Sequence, residues 1–81
     1  MQVEFEGTIF YEQPFTVKID KTNIKMPLYA YLNGKECLRK EGDRVKVYGT
    51  VDNLSFCVST NDNDYNEVVL QLMECEVEYE S

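Results

Sequence analysis

At 81 residues, 43% hydrophobic and 28% charged, the chain has the size of one domain, residues 1–81, too small for two cores and too hydrophobic for a disordered segment. Its net charge of -7 excludes nucleic-acid binding over the whole surface, because most of that surface repels phosphate. The lack of any histidine, of a Cys-x-x-Cys pair, of a nucleophile motif and of a Gly-rich phosphate loop argues against a metal, a cofactor and catalysis.

The first residues, Met1 to Glu6, carry no basic and apolar leader, and no stretch approaches the ~18 apolar residues of a membrane span, so the expected address is the cytoplasm, or the host cytoplasm if the protein is viral. On that expectation the Asn53-Leu54-Ser55 sequon stays unmodified. Cys37, Cys57 and Cys75 are odd in number and far apart, and read as small apolar residues. Charge is unevenly spread. All eight cations lie between Lys18 and Lys46 against four acids, a local +4, whereas the rest of the chain holds eleven acids and no base.

Alternation predicts the strands. Val3, Phe5, Gly7 and Ile9 share one face of a first strand, with Glu4, Glu6 and Thr8 opposite, and Gly7 in mid-strand predicts a sharp bend. Glu12-Gln13-Pro14 breaks the run; Phe15, Val17 and Ile19 resume it, giving a hairpin. After Lys21-Thr22-Asn23, a third strand is expected over Ile24 to Leu32, with Met26, Leu28, Ala30 and Leu32 inward and Tyr29 and Tyr31 outward. Asn33-Gly34 turns the chain, and Lys35 to Glu41, stopped by Gly42, predicts a short helix of about two turns. The fourth strand, Arg44 to Val51, alternates Val45, Val47, Gly49 and Val51 against Arg44, Lys46, Tyr48 and Thr50; Asp52-Asn53 then reads as a turn, and Leu54 to Thr60 as β-like. The last strand, Glu67 to Tyr79, changes parity. Val68, Leu70 and Leu72 share one face, while Met73, Cys75, Val77 and Tyr79 share the next, so a one-residue slip near Leu72 is expected. The result is an all-β chain, a small five-stranded OB-type Greek-key barrel with one short helix between strands 3 and 4.

The segments Phe5 to Ile9, Phe15 to Ile19, Leu38-Arg39-Lys40-Glu41-Gly42-Asp43-Arg44-Val45-Lys46-Val47-Tyr48-Gly49-Thr50-Val51 and Leu70 to Cys75 resemble the tRNA-anticodon-like OB-fold family over roughly Val3 to Val77. The resemblance implies a barrel that binds nucleic acid or protein; it supplies no ligand residue to carry over. The chain departs from the family pattern in its long Leu54 to Asn66 excursion and in its acidity.

Three features carry candidate function. The ladder Glu74, Glu76, Glu78 and Glu80, with Glu4 and Glu6, forms an acidic face; Arg44 and Lys46 are expected to pair with part of it, leaving a residue suited to a basic protein surface. A small acidic protein of this kind can occupy a nucleic-acid site as a mimic, as phage-encoded inhibitors of host defences do. Asp62, Asp64 and Tyr65 in the loop before the last strand are expected to join this protein contact; Glu67 stands where a calcium loop needs glycine, so the loop is not read as a metal site. The alternative site is aromatic and cationic: Lys18, Tyr29 and Tyr31 on strands 2 and 3, with Phe10 or Tyr11 near the rim and Lys46 and Tyr48 on strand 4, would stack the bases of a single-stranded nucleic acid or nucleotide. A protein partner is the leading expectation.

Overall fold

The computed structural model describes residues 1–21, 27–58 and 66–80; the side chains of 54–58, 66 and 67 are not described. Five strands follow in chain order: β1 (Gln2–Tyr11), β2 (Thr16–Ile19), β3 (Leu28–Leu32), β4 (Arg44–Val58) and β5 (Asn66–Tyr79). They close into a barrel in the order β1-β2-β3-β5-β4. All pairs are antiparallel except β3 with β5, which run parallel.

The alternating residues explain the closure. Ile9, Phe15, Val17, Ala30, Leu32, Val45, Val47 and Leu72 point inward and form one buried cluster, and Val3, Phe5, Ile19, Cys37, Cys75, Val77 and Tyr79 pack around it half-buried. Each fully buried Val, Leu or Ile contributes about 1.5–3 kcal/mol relative to an exposed one. Among the described residues no polar or charged side chain is buried.

A barrel this narrow forces two strands to bend. β1 pairs with β4 through Gln2 to Thr8 and with β2 through Gly7 to Tyr11, and Gly7 takes part in both pairings, facing Ile19 on one side and Val45 on the other. A Cβ at Gly7 would press on the Lys18 carbonyl oxygen and lie 2.6 Å from Cγ1 of Val17. The bend expected at Gly7 is therefore a contact between backbones that admits no side chain. β5 pairs with β4 along its length but with β3 only through Val68 to Leu72. Where it leaves β3, the register jumps from Val51–Leu72 to Thr50–Glu74 and leaves Met73 unpaired, half exposed at 50%. This is the slip expected near Leu72. It also corrects one assignment: Met73 is the bulge residue and does not share the inward face of Cys75 and Val77.

Asp52-Asn53 is not a turn. β4 runs through it as a single strand, with the extra residue Asp52 absorbed between the Val51–Leu72 and Asn53–Gln71 pairs. β3 begins at Leu28, just after Pro27, whose ring has no N–H to give a ladder but whose carbonyl accepts from Val68 N at 3.1 Å. The positions expected to extend it, Ile24 and Met26, lie outside the described residues.

The helix expected over Lys35 to Glu41 is absent; this segment contains no helix, only turns at both ends. Gly34 and Gly42 hold φ of 76° and 96°, a left-handed conformation at each boundary. Two helical turns between them fall short of the ~12–15 residues that sustain an isolated helix. The backbone donors are taken instead by distant side chains and turns. Leu38 N donates to the Tyr79 hydroxyl at 3.0 Å, Lys40 N to Asp43 Oδ2 at 3.3 Å and Glu41 N to Glu12 Oε2 at 3.3 Å. Arg39 lies over the Tyr79 ring at 5.5 Å, and Cys37 packs against the core, so the segment lies across one end of the barrel. The Gly42-Asp43 turn then ties β4 to β1, with Gly42 N to Ile9 O at 2.9 Å and Ile9 N to Asp43 O at 2.8 Å.

Gly7→Ala is expected to cost about 1–3 kcal/mol of unfolding free energy, as overpacking does, read from the urea midpoint. Gly49→Ala is expected to cost less, since its Cβ would stand 3.0 Å from the Glu74 carbonyl and 3.2 Å from the movable Cδ1 of Leu72. Tyr79→Phe should lose about 0.5–1.5 kcal/mol through the hydrogen bond to Leu38, measured in the same assay.

Candidate functional site

Outward positions on β1, β4 and β5 fall into rows across the barrel. The register aligns Gln2, Thr50 and Glu74; Glu4, Tyr48 and Glu76; and Glu6, Lys46 and Glu78. Lys46, in the middle of the last row, reaches diagonally to Glu4 with Nζ 3.3 Å from Oε2, and its ammonium is held above its ordinary value by Tyr48 first and Glu4 second. Arg44 bonds Asp20 and lies 4.0 Å from Glu80; the Asp20 hydrogen bond and charge push its guanidinium up further. The Tyr48 hydroxyl donates to Glu78 Oε2 at 3.1 Å. The two cations thus take Glu4 and Glu80 from the acidic set, with Asp20 besides. Each exposed pair contributes about 0.2–1 kcal/mol.

Glu74 and Glu76 are different. Among the described residues neither side chain forms an ion pair or a hydrogen bond. Together with Glu4, Tyr48 and Thr50 they line an open depression of about 680 Å³ on the outer wall of the barrel. Three carboxylates, of which only Glu4 is ion-paired, to Lys46, give that depression a negative field.

The second face lies around the barrel on β1, β2 and β3. Here the register aligns Tyr11, Thr16 and Tyr31 in one row and Thr8, Lys18, Tyr29 and Val69 in the next. The β1 register skips Phe10 between the Ile9–Val17 and Tyr11–Thr16 pairs. That bulge brings the Phe10 ring to 4.6 Å from Tyr11, edge to face, and 4.9 Å from Tyr29, tilted, centroid to centroid. Phe10 stays 38% and Tyr11 51% exposed, while Tyr29, outward by parity, is only 7% exposed. Phe10, Tyr11, Pro14, Tyr31 and Val69 enclose a groove of about 350 Å³ over Thr16.

The residues expected to serve nucleic acid are therefore divided. Lys18, Tyr29 and Tyr31 share the aromatic face, and Phe10 and Tyr11 join them; Lys46 and Tyr48 belong to the acidic face and are engaged by Glu4 and Glu78. Asp62, Asp64 and Tyr65 lie outside the described residues. Pro14, Thr16 and Val69 were not foreseen as groove residues. Alternation places Thr16 and Val69 outward, but only the register sets them beside the rings.

Among the described residues no group of three or more His, Cys, Asp or Glu could hold a metal, and no helix is long and apolar enough to cross a membrane. Cys37 and Cys75 are free and half-buried. Burial pushes the Cys75 thiol above its ordinary value of 9.0, with Lys35 opposing more weakly. Burial disfavours the thiolate in the fold, so the shift costs no stability below 9.0 and lowers stability as pH rises above it. Iodoacetamide should therefore modify Cys75 more slowly in the native protein than in urea at about pH 8, by peptide mass analysis, the thiolate being the nucleophile. Compared with known proteins, the chain matches no family model, no curated protein and no solved structure.

Proposed function

We propose that the chain is a non-catalytic binding module of OB type that engages a basic protein surface through the acidic face of β1, β4 and β5. The OB reading is supported by the strand order β1-β2-β3-β5-β4, a three-strand meander whose last member runs parallel to β5 while β4 closes back on β1. The binding reading is carried by one observation: Glu74 and Glu76 line an open depression without a cation of their own. Exposed carboxylates without a cation of their own attract and orient a positive partner.

A mimic acting as an inhibitor is a narrower form of the same proposal, since it too requires a basic protein site. The reading with single-stranded nucleic acid on Lys18, Tyr29 and Tyr31 has Lys18 as its cation, and one phosphate contact gives a salt slope of only about -0.7 against a chain of net charge -7.

Affinity capture from the native host with the wild-type chain, repeated with Glu74→Lys and Glu76→Lys together, tests the proposal. A protein retained by the wild type, lost with the double variant and released as salt rises is the expected result, with a loss of about tenfold or more in affinity. Equal recovery by wild type and variant, at matched thermal midpoints, would refute it.

A further inference from the structure

We propose that the groove between Tyr11 and Tyr31 is a docking site for an extended, proline-rich peptide segment carrying a basic residue, a second binding site that does not depend on the acidic face.

The groove's shape follows from its row of large, small and large side chains. Tyr11 on β1 and Tyr31 on β3 flank Thr16 on β2, which lies in register with both. Walls two strands apart stand roughly 9.6 Å from each other, backbone to backbone. With a tyrosine ring on each wall, that gap admits a single extended chain and excludes an α-helix about 10–12 Å across. Phe10, in contact with both Tyr11 and Tyr29, bridges from the β1 wall to the β3 wall and bounds the groove at its Lys18 end, leaving it open toward Pro14.

Its hydrogen-bonding capacity selects the backbone of the occupant. β2 is paired on both sides, so the floor offers no open strand edge. The Thr16 hydroxyl already donates to the Pro14 carbonyl at 3.0 Å. A peptide lying here as an added strand would leave its own N–H groups without acceptors, at a cost. Proline has no N–H to lose, and a polyproline II segment has no internal hydrogen bonds and presents rigid rings to aromatic walls.

Charge selects the rest. Lys18 is set in the neighbouring row, too little to hold a run of phosphates. Beyond Pro14 and Tyr31 the groove continues into a second cleft of about 540 Å³ that shares those two residues and adds Glu12, Glu36 and Lys35. Two carboxylates against one ammonium favour a cation there. An extended segment crossing from one cleft to the other thus meets rings first and carboxylates next, which matches prolines followed by an arginine or lysine.

The test uses the intact chain and a fluorescein-labelled synthetic peptide of about ten residues with two Pro-x-x-Pro repeats and a terminal arginine, followed by fluorescence anisotropy. Saturable binding is expected, weakened about tenfold or more by Tyr31→Ala and by Thr16→Tyr, which fills the channel without removing a wall. Replacing the peptide's prolines with alanine, or its arginine with glutamate, should weaken binding by a similar factor. Glu74→Lys with Glu76→Lys should leave it unchanged, which separates this site from the acidic face. Absence of saturable binding, equal binding of the alanine peptide, or unchanged affinity in Thr16→Tyr would overturn the proposal. So would tighter, Tyr31-dependent binding of a labelled oligothymidylate, which assigns the groove to nucleic acid instead.

Discussion

The barrel depends on the backbone contact at Gly7, where β1 changes partners. Upstream, β1 belongs to β4; downstream, it belongs to β2; at Gly7 it belongs to both, with Val17 and the Lys18 carbonyl in the space a side chain would need. A closed sheet of five strands must turn sharply somewhere, and the absence of one side chain lets it do so while the ladder remains intact. The same problem on the other side of the barrel is solved by addition. Met73 and Asp52 are extra residues that let β5 leave β3 and let β4 follow it.

These irregularities also create the two faces. The Phe10 bulge, three residues beyond Gly7, rotates an aromatic ring onto Tyr29 and Tyr11 and so turns an ordinary strand end into the wall of a groove. The Met73 bulge restores alternation for Glu74, Glu76 and Glu78, so that all three project outward beside Thr50, Tyr48 and Lys46. On β4, Arg44 and Lys46 are used up by Asp20, Glu80 and Glu4. A chain whose cations are concentrated in one segment thereby presents a face from which positive charge has been neutralised, while the carboxylates of Glu6, Glu74, Glu76 and Glu78 remain without an ion pair.

Much of this was legible in the alternation of Val3 to Ile9, of Phe15 to Ile19 and of Arg44 to Val51, because a half-buried strand writes its inward face into every second residue. The change of parity at Leu72 was also legible, since apolar residues cannot change faces without an extra residue. The helix was not. Lys35 to Glu41 has the length and the glycine stop of a short helix, but its donors were claimed by Tyr79, Asp43 and Glu12, two of them remote in sequence. Asp52-Asn53 has turn chemistry, yet β5 offered it a partner strand, and pairing prevailed over local preference.

The candidate sites show the same division. Sequence alone determined which residues face outward, that acids outnumber bases after Lys46, and that no histidine is present, because these follow from composition and from a period of two. Only the tertiary structure decided which outward residues become neighbours. It put Lys46 and Tyr48 with glutamates and away from Tyr29 and Tyr31, buried Tyr29 beneath Phe10, and set Thr16 between two tyrosines. The physical reason is register: the pattern along a strand fixes its inward and outward faces, whereas its neighbours are fixed by bulges and bends that closure of the barrel imposes.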